Sequence, residues 1–208
     1  MPRPSRYSEE QILDATATIV AAGGPGAATI GAIGHMLNAP SGSIYHRFAS
    51  RDVLLGHLWL RKARFFQNRF VAALADRDPA KAALAAALSM PRAVRDDFAG
   101  ARIMLLHRRD DFLDGDWPPD MAAEAIRLKD QVDQAINDIA RRLFGRVDPE
   151  ALQLTTFAMI DVPLAAVRRH VEKNEMPPRS VEDLIARTYA ALIAPARSHG
   201  RRTKAARP

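Results

Sequence analysis

The chain has 208 residues, a formal net charge of +6 and no cysteine. The absence of cysteine excludes disulfide frameworks, thiol catalysis and Cys-ligated zinc. We expect no membrane partner, because no stretch of the sequence approaches the apolar length of a membrane span. Met1–Arg6 also lacks the hydrophobic stretch of a secretory signal, so the sequence predicts a cytoplasmic protein.

The positive charge is concentrated at the two ends of the chain. Residues 1–69 carry a net charge of +4, residues 70–195 carry −3, and residues 196–208 carry +5. This distribution is expected if an N-terminal domain meets a polyanion while the middle of the chain serves another purpose. Residues 1–7 are predicted to form a flexible basic arm and residues 196–208 a disordered basic tail.

The first helix is predicted to begin after Ser8, because Ser8 and Gln11 fit a capping box. Apolar residues at helical spacing from Ile12 to Val20 form its inner face. The glycine-rich segment Gly23–Gly26 ends this helix. No strand precedes these glycines, so they are interpreted as a connector rather than a phosphate-binding loop.

Residues 29–48 predict two short helices that meet at a tight turn. Thr29 caps the first helix, whose apolar residues fall at helical spacing. Asn38 tolerates the left-handed conformation that ends a helix, and Pro40 cannot donate a hydrogen bond to the preceding turn. The chain is therefore expected to redirect within about three or four residues, as a helix-turn-helix unit does.

The second short helix has one apolar face and one small, polar face. Ser41 is expected to cap this helix, and Ile44 and Phe48 lie four residues apart for the core. The outward residues are small at the start of the helix and polar or cationic later, as needed by a helix that approaches base edges. Glycine inside a helix costs about 1 kcal/mol relative to alanine, so we favour DNA binding over simple packing of two helices.

The segment Ser41–Phe48, followed by Ser50–Leu55, resembles the DNA-binding signature of TetR-type transcriptional regulators. The resemblance extends over roughly residues 8–60. Three features depart from the family pattern: Leu37-Asn38-Ala39-Pro40 replaces the usual Ala-Gly-Val-Ser turn, Gly34 replaces alanine, and Arg51 replaces lysine. Asn38 can substitute for glycine at positive φ, and Arg51 keeps the charge.

The resemblance implies an all-α protein of about nine helices. A three-helix helix-turn-helix domain at residues 8–56 would be joined by a long helix to a helical effector-binding and dimerisation domain at residues 57–195. It further implies a regulator, usually a repressor, that binds a palindromic operator in double-stranded DNA as a homodimer and is released by a small-molecule effector. The predicted DNA-contacting residues are Thr29, Ser41, Gly42, Ser43, Tyr45, His46, Arg47 and Arg51.

Different roles are expected within that set. Thr29 and Arg51 are assigned to phosphates, and Tyr45 is expected to position the protein rather than to read sequence. Base reading is expected from Ser41 and Ser43, with Arg47 as a further candidate, although hydroxyl groups discriminate bases weakly.

The remaining helices are predicted from caps, prolines and apolar stripes. We expect helices at about 51–75, 79–90, 91–97, 99–109, 119–144, 149–174 and 180–195, and a solvated acidic loop at 110–116. Pro163 is expected to kink the helix that contains it. Asp161 is interpreted either as a surface residue that caps the second half of that helix or as a ligand contact, with the surface role favoured.

Two further sites are predicted on these helices. An apolar effector pocket with a few polar groups has the candidates Phe66, Phe70, Met104, His107, Trp117, Phe157 and Asp161. The apolar stripe on the last helix is typical of a four-helix dimer interface, with burial in the monomer as the alternative. The predicted interface residues are Leu184, Ile185, Thr188, Tyr189 and Leu192.

Two other functional classes stay open. A helical ligand-binding or adaptor protein that has lost DNA binding would keep the same fold. A helical-bundle enzyme is less favoured, because the six histidines are scattered without HExxH or Ser-His-Asp spacing. We therefore predict no catalytic residue, no cofactor and no metal site.

Overall fold

The computed structural model describes residues 7–112 and 117–205, and this part of the chain is helical without strands. The predicted all-α fold is therefore confirmed. The α-helices of this part are α1 (Glu9–Gly23), α2 (Ile30–Leu37), α3 (Ser41–Tyr45), α4 (Arg51–Ala73), α5 (Pro79–Asp96), α6 (Phe98–Leu106), α7 (Pro119–Phe144), α8 (Pro149–Thr156), α9 (Val162–Glu172) and α10 (Ser180–Ala205). Short 3₁₀ turns lie at Pro25–Ala27 and Arg109–Asp111, and a π turn at Phe157–Asp161 joins α8 to α9. Predictions for residues 1–6, 113–116 and 206–208 fall outside the described residues.

The chain forms two compact units whose boundaries differ from the predicted domains. The first unit comprises residues 1–64 and 99–126, and the second comprises residues 65–98 and 127–208. The first boundary falls inside α4 rather than after residue 56. Residues 99–126 join the N-terminal unit because Ile103 and Phe112 are buried in its core.

Helices α1 to α4 and α6 contribute apolar side chains to the core of the first unit. Ile44 and Phe48 are buried in this core as predicted. The capping box of α1 is also present, since Ser8 Oγ accepts from Gln11 N and Gln11 Oε1 accepts from Ser8 N. The sequence predicts a solvated loop around Phe112, but its side chain is only 1% exposed. The 3₁₀ turn before Phe112 directs the ring inward, which an acidic composition alone does not reveal.

The second unit is built on close packing between alanine-rich α5 and the C-terminal helices. Ala82, Ala83 and Ala86 are fully buried beside Ile139 and Met159. The small side chains of α5 allow the neighbouring helix backbones to approach closely. Gly145 ends α7 as predicted, with φ at 71° and its N–H donating to Arg141 O.

Two prolines do not end helices where the sequence predicts. Helix α5 continues through Pro91 to Asp96, and α10 continues through Pro195 to Ala205. Proline removes one backbone hydrogen bond, and the bonds and contacts on either side of it can outweigh that loss. In α5, Pro91 is buried against the core. The predicted disordered tail is therefore helical as far as Ala205.

The helical run Pro149–Glu172 contains the expected irregularity near Pro163. A π turn occurs there, in which Val162 N donates to Phe157 O, and this wider turn precedes the proline that lacks a donor.

The run Pro149–Glu172 is 24 residues long with a mean hydropathy of 1.3 over its most apolar window. By length and composition alone it could cross a membrane, contrary to the expectation from sequence. This is weak support for a span, because core helices of soluble proteins have the same character.

Candidate nucleic-acid interface

The turn between α2 and α3 has the geometry of a tight helix-turn-helix connection. Thr29 Oγ1 caps α2 by accepting from Ala32 N at 3.1 Å, as predicted. Asn38 ends α2 in the left-handed conformation, with φ at 51° and ψ at 45°. Ala39 N then donates to Gly34 O at 2.8 Å, which folds the chain back over the end of α2. Helix α3 starts two residues later.

Gly34 is required by this turn. A Cβ atom at position 34 would stand 2.8 Å from the carbonyl oxygen of Ala39, which is closer than real Cβ contacts allow. The backbone of the turn therefore occupies the space that an alanine side chain would need. This contact explains why glycine replaces the usual alanine in a chain whose turn reads Asn-Ala-Pro.

Tyr7 also holds the turn, and sequence reasoning missed it. Its hydroxyl donates to Asn38 O at 2.6 Å. The sequence assigns Tyr7 to the flexible arm at residues 1–7, and the structure corrects that assignment because this hydrogen bond attaches the residue to the end of α2. Nothing in the local pattern indicates a partner 31 residues away.

Helix α3 is shorter than predicted and is capped differently. It spans Ser41–Tyr45, and its N-cap is Pro40 without a side-chain cap hydrogen bond. The predicted capping role of Ser41 is therefore wrong, and its exposed side chain is not committed to a cap. Gly42, Tyr45 and His46 are also exposed, whereas Ser43 is half-buried. The exposed side chains are therefore small at the start of α3 and polar at its end.

Two helical glycines are not required by internal packing. A Cβ atom at Gly42 would meet no atom within 4 Å, and one at Gly31 would meet only Thr29 Oγ1 at 3.9 Å. Glycine in a helix is less stable than alanine by about 0.5 to 1 kcal/mol. Both glycines expose backbone to solvent, so α2 and α3 present a surface that another molecule can approach closely. A concavity of about 420 Å³ beside the turn is lined by Gly31, Gly34, His35, Asn38, Ala39, Pro40 and Ser41.

Arg51 has a structural role that its position in the motif does not reveal. Its Nε donates to Ala28 O at 2.9 Å and its Nη2 donates to Pro25 O at 2.5 Å. The guanidinium group therefore braces the connector between α1 and α2, and its predicted phosphate contact stays a prediction. Ser50 Oγ accepts from Val53 N and caps the first turn of α4 as predicted.

Arg47 lies beyond the end of α3, with a side chain that is only 22% exposed. Its Nη1 is 3.9 Å from the carboxylate of Glu9 on α1. In the free protein the side chain is therefore directed toward α1, and its candidacy for base reading stays a prediction. The exposed polar residues that remain at the α3 surface are Ser41, Tyr45 and His46.

The end of α1 and the connector are also contacted from α6 and from the residue that follows it. Arg102 Nε donates to Ala21 O at 2.7 Å, near the C-terminal end of α1. The ring of His107 lies 3.2 Å from the position that a Cβ atom on Gly24 would occupy. His107 is a predicted pocket residue, and the structure instead packs it beside this connector. These contacts, together with Arg51, fix the segment that leads into α2.

If Arg51 braces the connector, replacing it with methionine or lysine should lower the stability of the free protein. A residue that only contacts a phosphate would not have this effect. Arg51→Met is expected to destabilise the first unit by about 2 kcal/mol, because two carbonyl groups lose a charged donor. Arg51→Lys should restore little of this loss, since an ammonium group cannot form the same fork of hydrogen bonds. Chemical denaturation followed by circular dichroism measures both effects. Wild-type stability in Arg51→Lys would contradict the bracing role.

The seven predicted pocket residues are divided between the two units. Met104, His107 and Trp117 lie in the first unit, and Phe66, Phe70, Phe157 and Asp161 lie in the second. Phe157 is 47% exposed and Asp161 is exposed without a side-chain cap hydrogen bond. The structure therefore corrects their assignment as pocket walls. Asp161 also does not cap the second half of the helix, because its side chain makes no cap hydrogen bond. It lies on the surface, as the favoured interpretation predicts.

Among the other candidates, Trp117 has the most distinctive environment. Its indole packs edge-on against Trp59 with ring centroids 5.6 Å apart. The Trp117 Nε1 atom is buried and has no hydrogen-bond partner among the described residues. Phe70 and Met104 are half-buried and pack against the cores of their respective units.

The predicted dimer stripe on α10 divides into a buried face and an exposed face. Ile185 and Tyr189 are 1% and 5% exposed, and Tyr189 Oη donates to Ala80 O within the second unit. These two residues belong to the monomer core, which corrects their interface assignment. Leu184 is 47% exposed, and Thr188 and Leu192 are half-buried. In the described part of the chain, no three His, Asp or Glu side chains are arranged to hold a metal ion.

Comparison with known proteins supports the interpretation of this interface. Residues 12–58 match the family model described as bacterial regulatory proteins of the tetR family. No curated protein matches the chain at a significant level.

Solved structures share the fold over most of the chain at low sequence identity. FadR from Bacillus subtilis in complex with stearoyl-CoA has a TM-score of 0.68 at 13% identity, over 89% of this chain and 98% of that chain. PfmR from Thermus thermophilus has 0.67 at 16%, over 88% and 97%. KstR2 of Mycobacterium tuberculosis has 0.66 at 18%, over 91% and 95%. The helix-turn-helix at residues 29–48 therefore lies inside the segment, residues 12–58, that matches the tetR family of bacterial regulatory proteins.

Proposed function

We propose that the chain is a transcriptional repressor that binds a palindromic operator as a homodimer in the cytoplasm and is released by a small-molecule effector. The observation that carries DNA binding is the exposed start of α3, where Ser41 and Gly42 present a small surface while Ile44 is fully buried. A recognition helix reads base edges through its N-terminal residues in the major groove. The side-chain-poor surface at Gly31 and Gly42 supports a close approach of that kind.

The proposed contacts follow from exposure and chemistry. Ser41 and Ser43 would face base edges, with Gly42 between them permitting the backbone to approach. Tyr45 and His46 flank this position, and the capping Thr29 retains a hydroxyl hydrogen that it can donate to a phosphate. The first helix of a helix-turn-helix crosses the DNA backbone, which is consistent with Thr29 at the N-terminus of α2.

A gel-shift experiment tests this function. The probe is the DNA upstream of the chain's own gene, with a scrambled duplex of equal length as competitor. Specific binding should persist in excess competitor at moderate salt, because base contacts add to the salt-dependent attraction of phosphates. The absence of any shift would favour the adaptor alternative, and equal competition by the scrambled duplex at every salt concentration would contradict specific operator binding. Addition of candidate small molecules to the same gel tests release.

Dimerisation is proposed through the surfaces of the C-terminal helices that the monomer leaves exposed. Phe157 and Leu184 are each 47% exposed, although both are large apolar residues. An isologous interface brings the same surface patch from both subunits together. Such an interface would bury these side chains, with Thr188 and Leu192 at its edge.

Leu184→Arg is expected to convert the protein from a dimer to a monomer. Two arginines would face each other near a symmetry axis, where desolvation and like-charge repulsion oppose association. Size-exclusion chromatography with light scattering measures the mass at micromolar concentration. Val71→Arg is a matched control, because Val71 is an exposed apolar residue of α4 in the same unit. A dimer that survives Leu184→Arg would remove Leu184 from the interface.

The effector is proposed to bind in the helical part of the protein, with Trp117 as a contact. Its buried Nε1 has no acceptor in the described part of the chain, so a ligand with a hydrogen-bond acceptor would remove an energetic penalty. Stearoyl-CoA is present in the FadR structure, which supports small-molecule binding by this fold without identifying the ligand of this chain. Release requires that the effector bind the non-DNA-binding conformation more tightly than the DNA-binding one.

A further inference from the structure

A charged cleft lies in the second unit between α5 and the start of α10. It has a volume of about 460 Å³ and is lined by Arg92, Arg95, Arg179, Glu182 and Asp183. Arg92 and Arg95 are three residues apart on α5, so their side chains extend from the same face of that helix. Three guanidinium groups and two carboxylates leave these lining residues with a net charge of +1.

Glu182 occupies one side of the cleft and is paired with both arginines of α5. Its Oε2 accepts from Arg92 Nε at 2.9 Å, and its Oε1 accepts from Arg95 Nη2. Burial of Glu182 opposes its charge, but hydrogen bonds from Arg92 and Arg95 outweigh this effect and hold its pKa below the ordinary value. Glu182 is therefore ionised at neutral pH and neutralises one of the two cations.

Two donors in the cleft remain without acceptors. Arg95 Nη1 is buried and has no hydrogen-bond partner within the described ranges of the chain. Arg179 is exposed, and its guanidinium group makes no hydrogen bond or ion pair with any other described residue. A buried charged donor that lacks an acceptor is costly. Glu182 therefore supplies an acceptor for Arg92 and for Arg95 Nη2. It supplies none for Arg95 Nη1 or for the guanidinium group of Arg179.

We propose that this cleft binds the phosphate group of a small molecule, with Arg95 and Arg179 as the donors. A phosphate monoester carries about −1.5 to −2 charges at pH 7 and three acceptor oxygens, so it matches several unpaired N–H groups better than a second carboxylate does. Arginine forks hydrogen-bond phosphate with two parallel donors. The N-terminus of α10 contributes little, because Glu182 and Asp183 already complement its dipole.

Titration calorimetry of the full chain with inorganic phosphate tests the site, with ionic strength held constant by sodium chloride. We expect saturable binding to the wild type, and no comparable heat when acetate replaces phosphate. Arg179→Gln should weaken phosphate binding about tenfold or more, as expected for the loss of a hydrogen bond to a charged group. Because the side chain of Arg179 makes no hydrogen bond or ion pair in the described part of the fold, this variant should remain folded.

Arg168→Gln is the matched control, since Arg168 is an exposed arginine of α9 without a described partner. It should bind phosphate as the wild type does. Equal phosphate affinity of Arg179→Gln and wild type would overturn the proposal, and so would acetate binding as tight as phosphate binding. Thermal unfolding gives a second measurement, because phosphate should raise the melting temperature of the wild type and of Arg168→Gln but not of Arg179→Gln. Neither assay involves DNA, so its outcome is independent of the proposed repressor function.

Discussion

Gly42→Leu is expected to reduce the affinity for operator DNA about 100-fold while leaving the free protein folded. A side chain at position 42 has open space around it in the free protein, since a Cβ atom there meets no atom within 4 Å. In the complex, the same leucine would stand between the start of α3 and the groove. One good base contact is worth about 1 to 3 kcal/mol, and a displaced helix loses several such contacts. We therefore expect the affinity for the operator to fall about 100-fold.

The informative result is the combination of lost binding with retained stability. Fluorescence anisotropy with a labelled operator gives the affinity, and circular dichroism during urea unfolding gives the stability. Ala123→Leu serves as the control, because it adds a leucine at an exposed position on α7 and should change neither quantity appreciably. If Gly42→Leu binds the operator normally, the start of α3 does not enter the groove and the proposed interface is wrong.

Much of the helix-turn-helix could be predicted because its determinants are local in sequence. Thr29 caps α2, Ser50 caps α4, and Asn38 takes the left-handed conformation, each as its residue type suggests. The spacing of Ile44 and Phe48 likewise placed both residues in the core. Such features need only the few residues around them, so a single sequence contains the information.

Long-range contacts could not be predicted in this way. Arg51 bonds to carbonyl groups 23 and 26 residues earlier, and Tyr7 bonds to a carbonyl 31 residues later. A cation at a motif position suits a phosphate or a backbone carbonyl equally well, and the sequence offers no means to choose. Residues 99–126 joined the first unit for the same reason, since burial of Phe112 depends on a partner surface that is distant in sequence.

The apolar stripe on α10 shows a related limit. Helical periodicity indicates that one face is buried, but it does not indicate what covers that face. Ile185 and Tyr189 are covered within their own unit, and the exposed Leu184 lies beside them in sequence. Prolines are ambiguous in a similar sense, because Pro91 lies within a continuous helix while Pro79 and Pro149 begin helices as predicted.

Gly34→Ala is expected to destabilise the first unit by about 1 to 3 kcal/mol, although alanine is the better helix former. The added methyl group would lie 2.8 Å from Ala39 O, so the turn must shift, and forced overpacking of this kind typically has that energetic effect. The gain in helix propensity offsets at most about 1 kcal/mol. Because Ala39 directly precedes Pro40 and α3, the shift should also displace Ser41 and weaken DNA binding.

Gly31→Ala provides a control on the same helix with the same chemical change. Its methyl group would meet only Thr29 Oγ1, at an ordinary contact distance of 3.9 Å. Helix propensity should therefore dominate and stabilise the protein by about 0.5 to 1 kcal/mol. The two substitutions, three residues apart, should shift the midpoint of urea unfolding in opposite directions. A stabilising effect of Gly34→Ala would show that the turn yields easily, and that the departure from alanine at this position has no steric cause.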